Sequence, residues 1–109
     1  MCETILELAP LSVNKCFQGR RFMTKEYKQW TETGLWLLKG HKKHKGLVGI
    51  EIIAEMKNYK MADIDNILKP FLDLLVKAEV IEDDRKIEEL SVRKEKSTNN
   101  KIRFLIYKI

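Results

Sequence analysis

Cysteine is nearly absent. Cys2 and Cys16 are the only two, both lie near the start, and no CxxC motif is present, so no disulfide framework can be drawn. With no signal-peptide pattern ahead of the domain, a reducing, cytoplasmic setting is the expectation. No apolar run approaches the roughly 20 residues of a membrane span, so a soluble protein with no membrane partner is expected. The chain also lacks a glycine-rich phosphate loop, an internal repeat, a linker and any low-complexity segment. Residues 1–109 therefore read as one domain. The two histidines, His41 and His44, have an HxxH spacing. Without further ligands or a helix beneath them, they read as structural or solvated rather than as zinc ligands.

What is abundant is basic charge. Lys plus Arg number 21 against 16 Asp plus Glu, a net charge of +5, and this favours a polyanionic partner such as nucleic acid. Charge alone fits a merely lysine-rich soluble protein equally well. A chain of 109 residues can bury one core but has little room for a deep private cleft, so a second subunit is expected to complete any large binding surface.

Periodicity supplies the elements. "ETILELAP" alternates as a first strand stopping at Pro10, and "LSVNKCFQGRRFMT" reads as a polar, basic loop. Thr24 is a plausible N-cap for a helix over "KEYKQWTETGLWLLKG", ending at Gly40 and weakened in the middle by Gly34. "GLVGIEIIAEMK" is the clearest strand: Val48, Ile50, Ile52, Ala54 and Met56 share one face, Glu51 and Glu55 the other. Ile64, Ile67, Leu68, Phe71, Leu74, Leu75 and Ala78 then follow a 3.6-residue period as a second, amphipathic helix. "KIEELSVRKEK" and "KIRFLIYKI" bracket the turn-rich "STNN" as a C-terminal β-hairpin. The predicted class is α+β, a single domain with a small mixed sheet packed against two helices.

The second helix carries the conspicuous chemistry. Proline is tolerated only in a first helical turn, so Pro70 suggests Asn66 as the N-cap, with Asp63-Ile64-Asp65 extended and both carboxylates facing one spot. Lys69 lies one turn past Asp65 and Asp73 one turn past Lys69, while Asp83 and Asp84 follow the helix on a returning loop. Whether that loop folds back onto the helix cannot be read from spacing. The pattern itself leaves two readings open. Acids at a helix start complement its dipole, and an Asp-Lys-Asp row is ordinary surface pairing. The alternative is an oxygen-ligand site for a hard cation such as Mg²⁺.

The order Asp63-Ile64-Asp65-Asn66, Lys69, Asp73-Leu74-Leu75, Asp83-Asp84 resembles the DxDNxxKxxxDxL…DD pattern of RusA-like Holliday junction resolvases. "APLSVNKCF" is similar to the Pro-x-Ser-x-Asn segment of that family, and an arginine-bearing loop leads to a Tyr-bearing helix at "KEYKQW" as it does there. One departure is Glu79, which stands where the family commonly has glycine after the helix. The resemblance implies a homodimeric, Mg²⁺-dependent endonuclease (Mn²⁺ being a possible substitute) that nicks two opposed strands of a four-way DNA junction. It implies Asp63, Asp65 and Asp84 as metal ligands and Lys69 as the cation beside the scissile phosphate. Asp73 would orient Lys69, and Asp83 is a weaker candidate for either role.

DNA would be held by Lys15, Arg20, Arg21, Lys25, Lys42, Lys43 and Lys45, through phosphate contacts that give sequence-independent affinity. Phe17 and Phe22 flank the two arginines and either stack on unpaired bases or anchor the loop. Trp30 and Trp36 read as core or dimer contacts, and the strand from Leu47 to Met56 is a second candidate for the dimer interface. The competing functions are a non-catalytic DNA-binding dimer and, less well supported, a Mg²⁺ enzyme acting on nucleoside triphosphates.

Overall fold

In the strand Val48–Met56 every second side chain from Val48 onward is buried, as its alternation predicts. The computed structural model describes residues 3–18, 22–58, 60 and 63–109. In chain order its elements are β1 (Thr4–Leu6), β2 (Phe17–Gln18), β3 (Phe22–Met23), α1 (Lys25–Leu37), β4 (Val48–Met56), α2 (Ile64–Lys77), β5 (Ile87–Lys96) and β6 (Lys101–Lys108). β4 is central because it is the most apolar strand and gains most from neighbours on both edges. β6 pairs with it antiparallel, with Ile52 opposite Phe104, and β5 pairs with it parallel, with Ile50 opposite Leu90. β1 adds to the far edge of β6, giving the order β1-β6-β4-β5.

The predicted class, the mixed sheet, the two helices and the closing strand pair are all present. The closing pair differs from a hairpin in one respect: β4 lies between β5 and β6, which are not bonded to each other. Residues 97–100 cross the end of β4 instead of forming a tight turn. They are fixed there by Ser97 N–H donating to the Met56 carbonyl at 3.1 Å and Lys57 N–H donating to Asn100 Oδ1 at 2.9 Å. The expected basic loop also holds more structure than its composition suggested. A 3-10 turn over Val13–Lys15 leads into the small β2–β3 ladder, and Cys16 is buried between them.

Both helices pack on the face of the sheet that carries Ile50, Ile52 and Phe104, and Trp30, Phe71, Leu74 and Leu75 complete that core. α1 is capped by Thr24, whose Oγ1 accepts from Tyr27 N–H at 3.1 Å. The helix ends at Leu37, before the expected Gly40, which sits three residues on in a left-handed turn. Gly34 has a specific reason to be in the middle of α1: a Cβ there would lie 2.5 Å from Leu74 Cδ2. The missing side chain lets α1 approach α2, a gain that outweighs its helix-propensity cost of about 1 kcal/mol. Among the described residues no helix is long and apolar enough to cross a membrane.

Candidate active site

α2 begins at Ile64 with Asp63 as its N-cap, three residues before the expected cap at Asn66. Pro70 consequently lies inside the helix, where the lost hydrogen bond and the ring clash cost ~3 kcal/mol. Its fully buried ring, packed beneath a strongly amphipathic helix, offsets that cost. Asp65 therefore stands in the first helical turn, and only Asp63 is extended, with φ −82° and ψ 148°. The main-chain carbonyl of Asp63 accepts from Asn66 N–H at 3.1 Å and Ile67 N–H at 3.3 Å. Its carboxylate makes no capping hydrogen bond. An aspartate at this position ordinarily satisfies the amides of the first turn, so this side chain is left for another use.

The far end of α2 is shaped by backbone hydrogen bonds. Glu79 N–H donates to the Val76 carbonyl and Val80 N–H to that of Leu75, a Schellman ending with Glu79 at the left-handed position, φ 61°. This is the residue that departs from the family's glycine, and it holds glycine's conformation. Val80 and Ile81 are buried behind it, so the chain turns back at once towards the sheet. A 3-10 turn over Asp84–Lys86 follows. Asp83 caps that turn, accepting from Arg85 N–H at 3.0 Å and from the Arg85 guanidinium at 3.3 Å. The bond from the Arg85 amide, then a bond with Asp84 and the guanidinium, hold the Asp83 carboxyl at about 2.

With Asp83 turned to capping, Asp84 is carried to the exposed face of α2. Lys69 Nζ donates to Asp73 Oδ1 at 2.9 Å and lies 3.8 Å from Asp84 Oδ2. The post-helix loop does fold back onto the helix, the point that spacing could not decide. The Lys69 ammonium is driven above its ordinary range, first by the bond to Asp73 and further by the charges of Asp73 and Asp84. It stays protonated throughout the neutral range.

One charge-coupled neighbour of this group was not anticipated. Tyr27, on α1, has its phenol pushed up by burial, then by the charge of Asp73, against a smaller opposing pull from Lys69. Its ring meets Phe17 edge to face at 5.7 Å. The approach of α1 to α2 through Gly34 brings it here, and that approach has no signature in the local sequence. Phe17 is thus partly an anchor, while Phe22 is largely exposed.

Among the described residues, no three His, Cys, Asp or Glu side chains stand together closely enough to hold a metal ion. The structure joins Asp73 and Asp84 through Lys69 and does not bring Asp63, Asp65 and Asp84 into one cluster. The donor set nevertheless suits a hard divalent cation: every group is a carboxylate, and the Asp63 side chain is not committed to its helix.

The remaining candidates divide. Lys15, Lys25, Lys42, Lys43 and Lys45 are exposed, and Lys43 is paired with Glu79 at 3.4 Å. Lys42, Lys43 and Lys45 line a groove together with Lys108. Arg20 and Arg21 lie outside the described residues. His41 is built into the fold: Nε2 bonds Thr4 Oγ1 at 2.8 Å, Nδ1 lies 2.9 Å from the Lys42 carbonyl, and the ring stacks on Phe104. Trp30 is buried with its indole N–H donating to the Ala9 carbonyl, whereas Trp36 is exposed beneath Lys39.

Compared with known protein families, residues 12–107 match the family described as Endodeoxyribonuclease RusA. No curated protein matches the chain.

Proposed function

Because the chain belongs to the RusA endodeoxyribonuclease family, whose members are Holliday junction resolvases, we propose that it resolves four-way DNA junctions as a Mg²⁺-dependent homodimer. The observation that carries this reading is the meeting of the two halves of the acidic motif on one helix face, where Lys69 lies between Asp73 and Asp84. A phosphodiester brought to that face meets a cation held by Asp73 and kept charged by its neighbours. Lys69 then offsets negative charge building on the phosphoryl oxygens during hydrolysis. Asp73 acts through Lys69, and Asp83 acts by capping the turn that presents Asp84.

Asp63, Asp65 and Asp84 would hold the divalent ion, Mg²⁺ or Mn²⁺ in its place. Bound there, it supplies an activated water and a shield for phosphoryl charge. The exposed lysines hold the arms of the junction by their phosphates.

Two opposed nicks require two sites related by a two-fold axis, and each subunit offers one. Trp36 and the neighbouring Leu37, both exposed, support an interface through α1. Trp30 and the edges of β4 are already engaged within the subunit.

The test incubates the protein with end-labelled four-way junction and with linear duplex, in Mg²⁺ or in EDTA. The expected result is paired, symmetric nicks in the junction with Mg²⁺, none in EDTA and none in the duplex. Junction binding without cleavage in either divalent ion would replace this reading with that of a non-catalytic DNA-binding dimer. Sedimentation should give twice the chain mass, and a heterodimer of wild type with Asp65→Asn should nick one strand only.

A further inference from the structure

Where β4 ends, the molecule has a cavity of about 360 Å³ that the mechanism above does not use. Its walls are mixed, and the apolar part comes from Pro10 and Leu11 of the segment after β1, Met56 at the last position of β4, and Ile67 near the start of α2. Met56 and Ile67 form, with Ala54, a small apolar cluster apart from the main core. Ser12, Lys15, Asn58 and Asn100 bring polar groups to the same cavity.

Its position and its chemistry narrow the occupant. Ile67 N–H donates to the carbonyl of Asp63, so the cavity adjoins the helix start at which Asp63 and Asp65 stand. A DNA strand whose phosphate reaches those carboxylates passes beside it. Asn100 Oδ1 accepts from Lys57 N–H, and its amide NH₂ can donate into the cavity. The Lys15 ammonium only donates. Apolar surface beside side chains that both donate and accept suits a planar heterocycle with hydrogen-bonding groups on its edge, which describes a nucleobase. The volume, at the low end of the ~300–1,000 Å³ of ligand pockets, suits one base. At a branch point stacking is already interrupted, so a base leaves the helix there at reduced cost.

We propose that this cavity receives one unstacked nucleobase of the strand being cut, and that its capture sets where along the strand the nick falls. The proposal rests on the nuclease reading and goes beyond it in giving that site a base-specific register.

The test uses junctions carrying 2-aminopurine, whose fluorescence rises on unstacking, at successive positions around the crossover, bound in EDTA so that nothing is cut. One position should brighten severalfold with the wild-type protein. Ala9→Phe introduces a ring from an exposed residue lining the cavity and keeps the main-chain carbonyl that Trp30 uses. It should abolish the rise and leave junction affinity within a few-fold. Asn100→Asp keeps the acceptor for Lys57 but replaces the donor with a carboxylate, and should reduce the rise. In Mg²⁺, an abasic site at the brightening position should slow wild-type cleavage about tenfold and leave the rate of Ala9→Phe unchanged. No brightening on binding, or undiminished brightening in both variants, overturns the proposal. A junction that brightens but is never cut keeps base capture by the cavity and removes the nuclease reading with the cut register built on it; one that is cut without brightening keeps the nuclease reading and removes base capture. Absence of junction binding removes both.

Discussion

Among the described residues, two clusters of charge stand on opposite sides of the sheet. On the face away from the helices, Arg103 of β6 bonds Glu55 of β4 at 2.6 Å, Glu3 at 3.2 Å and Glu95 of β5 at 3.3 Å. Lys101 and Arg93 complete the group, at 3.9 Å from Glu55 and 2.8 Å from Glu95. Three carboxylates meet three cations, and the central pair is only 25% and 14% exposed. On the helix face, Lys69, Asp73 and Asp84 are 58%, 43% and 49% exposed, and in this group one cation faces two carboxylates, with Asp63 and Asp65 standing apart at the helix start. The first cluster is closed: it neutralises itself and ties β6 to β4 and β5. The second has an excess of negative charge in a protein whose net charge is positive. Balance, rather than clustering, separates this structural network from the face proposed above to bind a cation.

The sharpest way to break this contrast is to remove single charges from each cluster. Asp63→Asn, Asp65→Asn or Asp84→Asn should abolish nicking, a loss of at least about three powers of ten, while junction binding stays within a few-fold. Glu55→Gln should do the opposite, lowering the melting temperature and leaving the single-turnover rate near wild type. Near-normal cleavage by two of the three aspartate variants would remove the helix face as the site.

Lys69→Ala comes next. Its single-turnover rate should fall by roughly two to three powers of ten with little change in thermal stability, since an exposed pair contributes little to folding. An unchanged rate with a large drop in melting temperature would make this cluster structural too.

Asp83 sharpens the comparison from within the site. Asp83→Ala loses the cap of the 3-10 turn and should reduce nicking about tenfold, while Asp83→Asn keeps an acceptor for Arg85 N–H and should cut nearly normally. If Asp83→Asn is as inactive as Asp84→Asn, Asp83 is a ligand instead. The pH dependence has a definite sign. A carboxyl depressed to about 2 in the fold stabilises it fully above the ordinary carboxylate range, and that contribution is lost as pH falls through about 2. Acid titration of the wild type, compared with Asp83→Asn, reads it directly.

The smallest effect belongs to Glu79. Glycine at this left-handed position should stabilise the domain by about 1 kcal/mol, less whatever the exposed pair with Lys43 contributes, with no change in nicking. Thermal melts of Glu79→Gly would measure it.

What could be read in advance divides along the same physical line. β4 and the apolar stripe of α2 were legible because alternation and the 3.6-residue period express burial directly. Pro70 misled because its local cost was weighed without the packing that offsets it, so the helix start was set three residues late. The strands β5 and β6 were recognisable, but the insertion of β4 between them was not, because pairing is decided by competition for β4. The same holds for the site. Its candidate residues were nominated by a family resemblance, while periodicity alone could not distinguish them from a solvated helix face. The Schellman ending and the capped turn that return Asp84 to Lys69 depend on tertiary contact.

The order of strands also governs when the molecule can form during synthesis. Thr4 pairs with Phe104, about a hundred residues later in the chain, and β6 is the strand that joins β1 to β4. Until residues 101–108 have left the ribosome, β1 has no partner, one edge of β4 is open, and the core lacks Ile102, Phe104 and Ile106. Such distant pairing makes folding slow and leaves apolar strand edges accessible in the interval. A nascent chain stalled after Lys96 should therefore be captured by chaperones, and the helix face that carries Lys69 and Asp84 acquires its rigid backing only when β6 inserts.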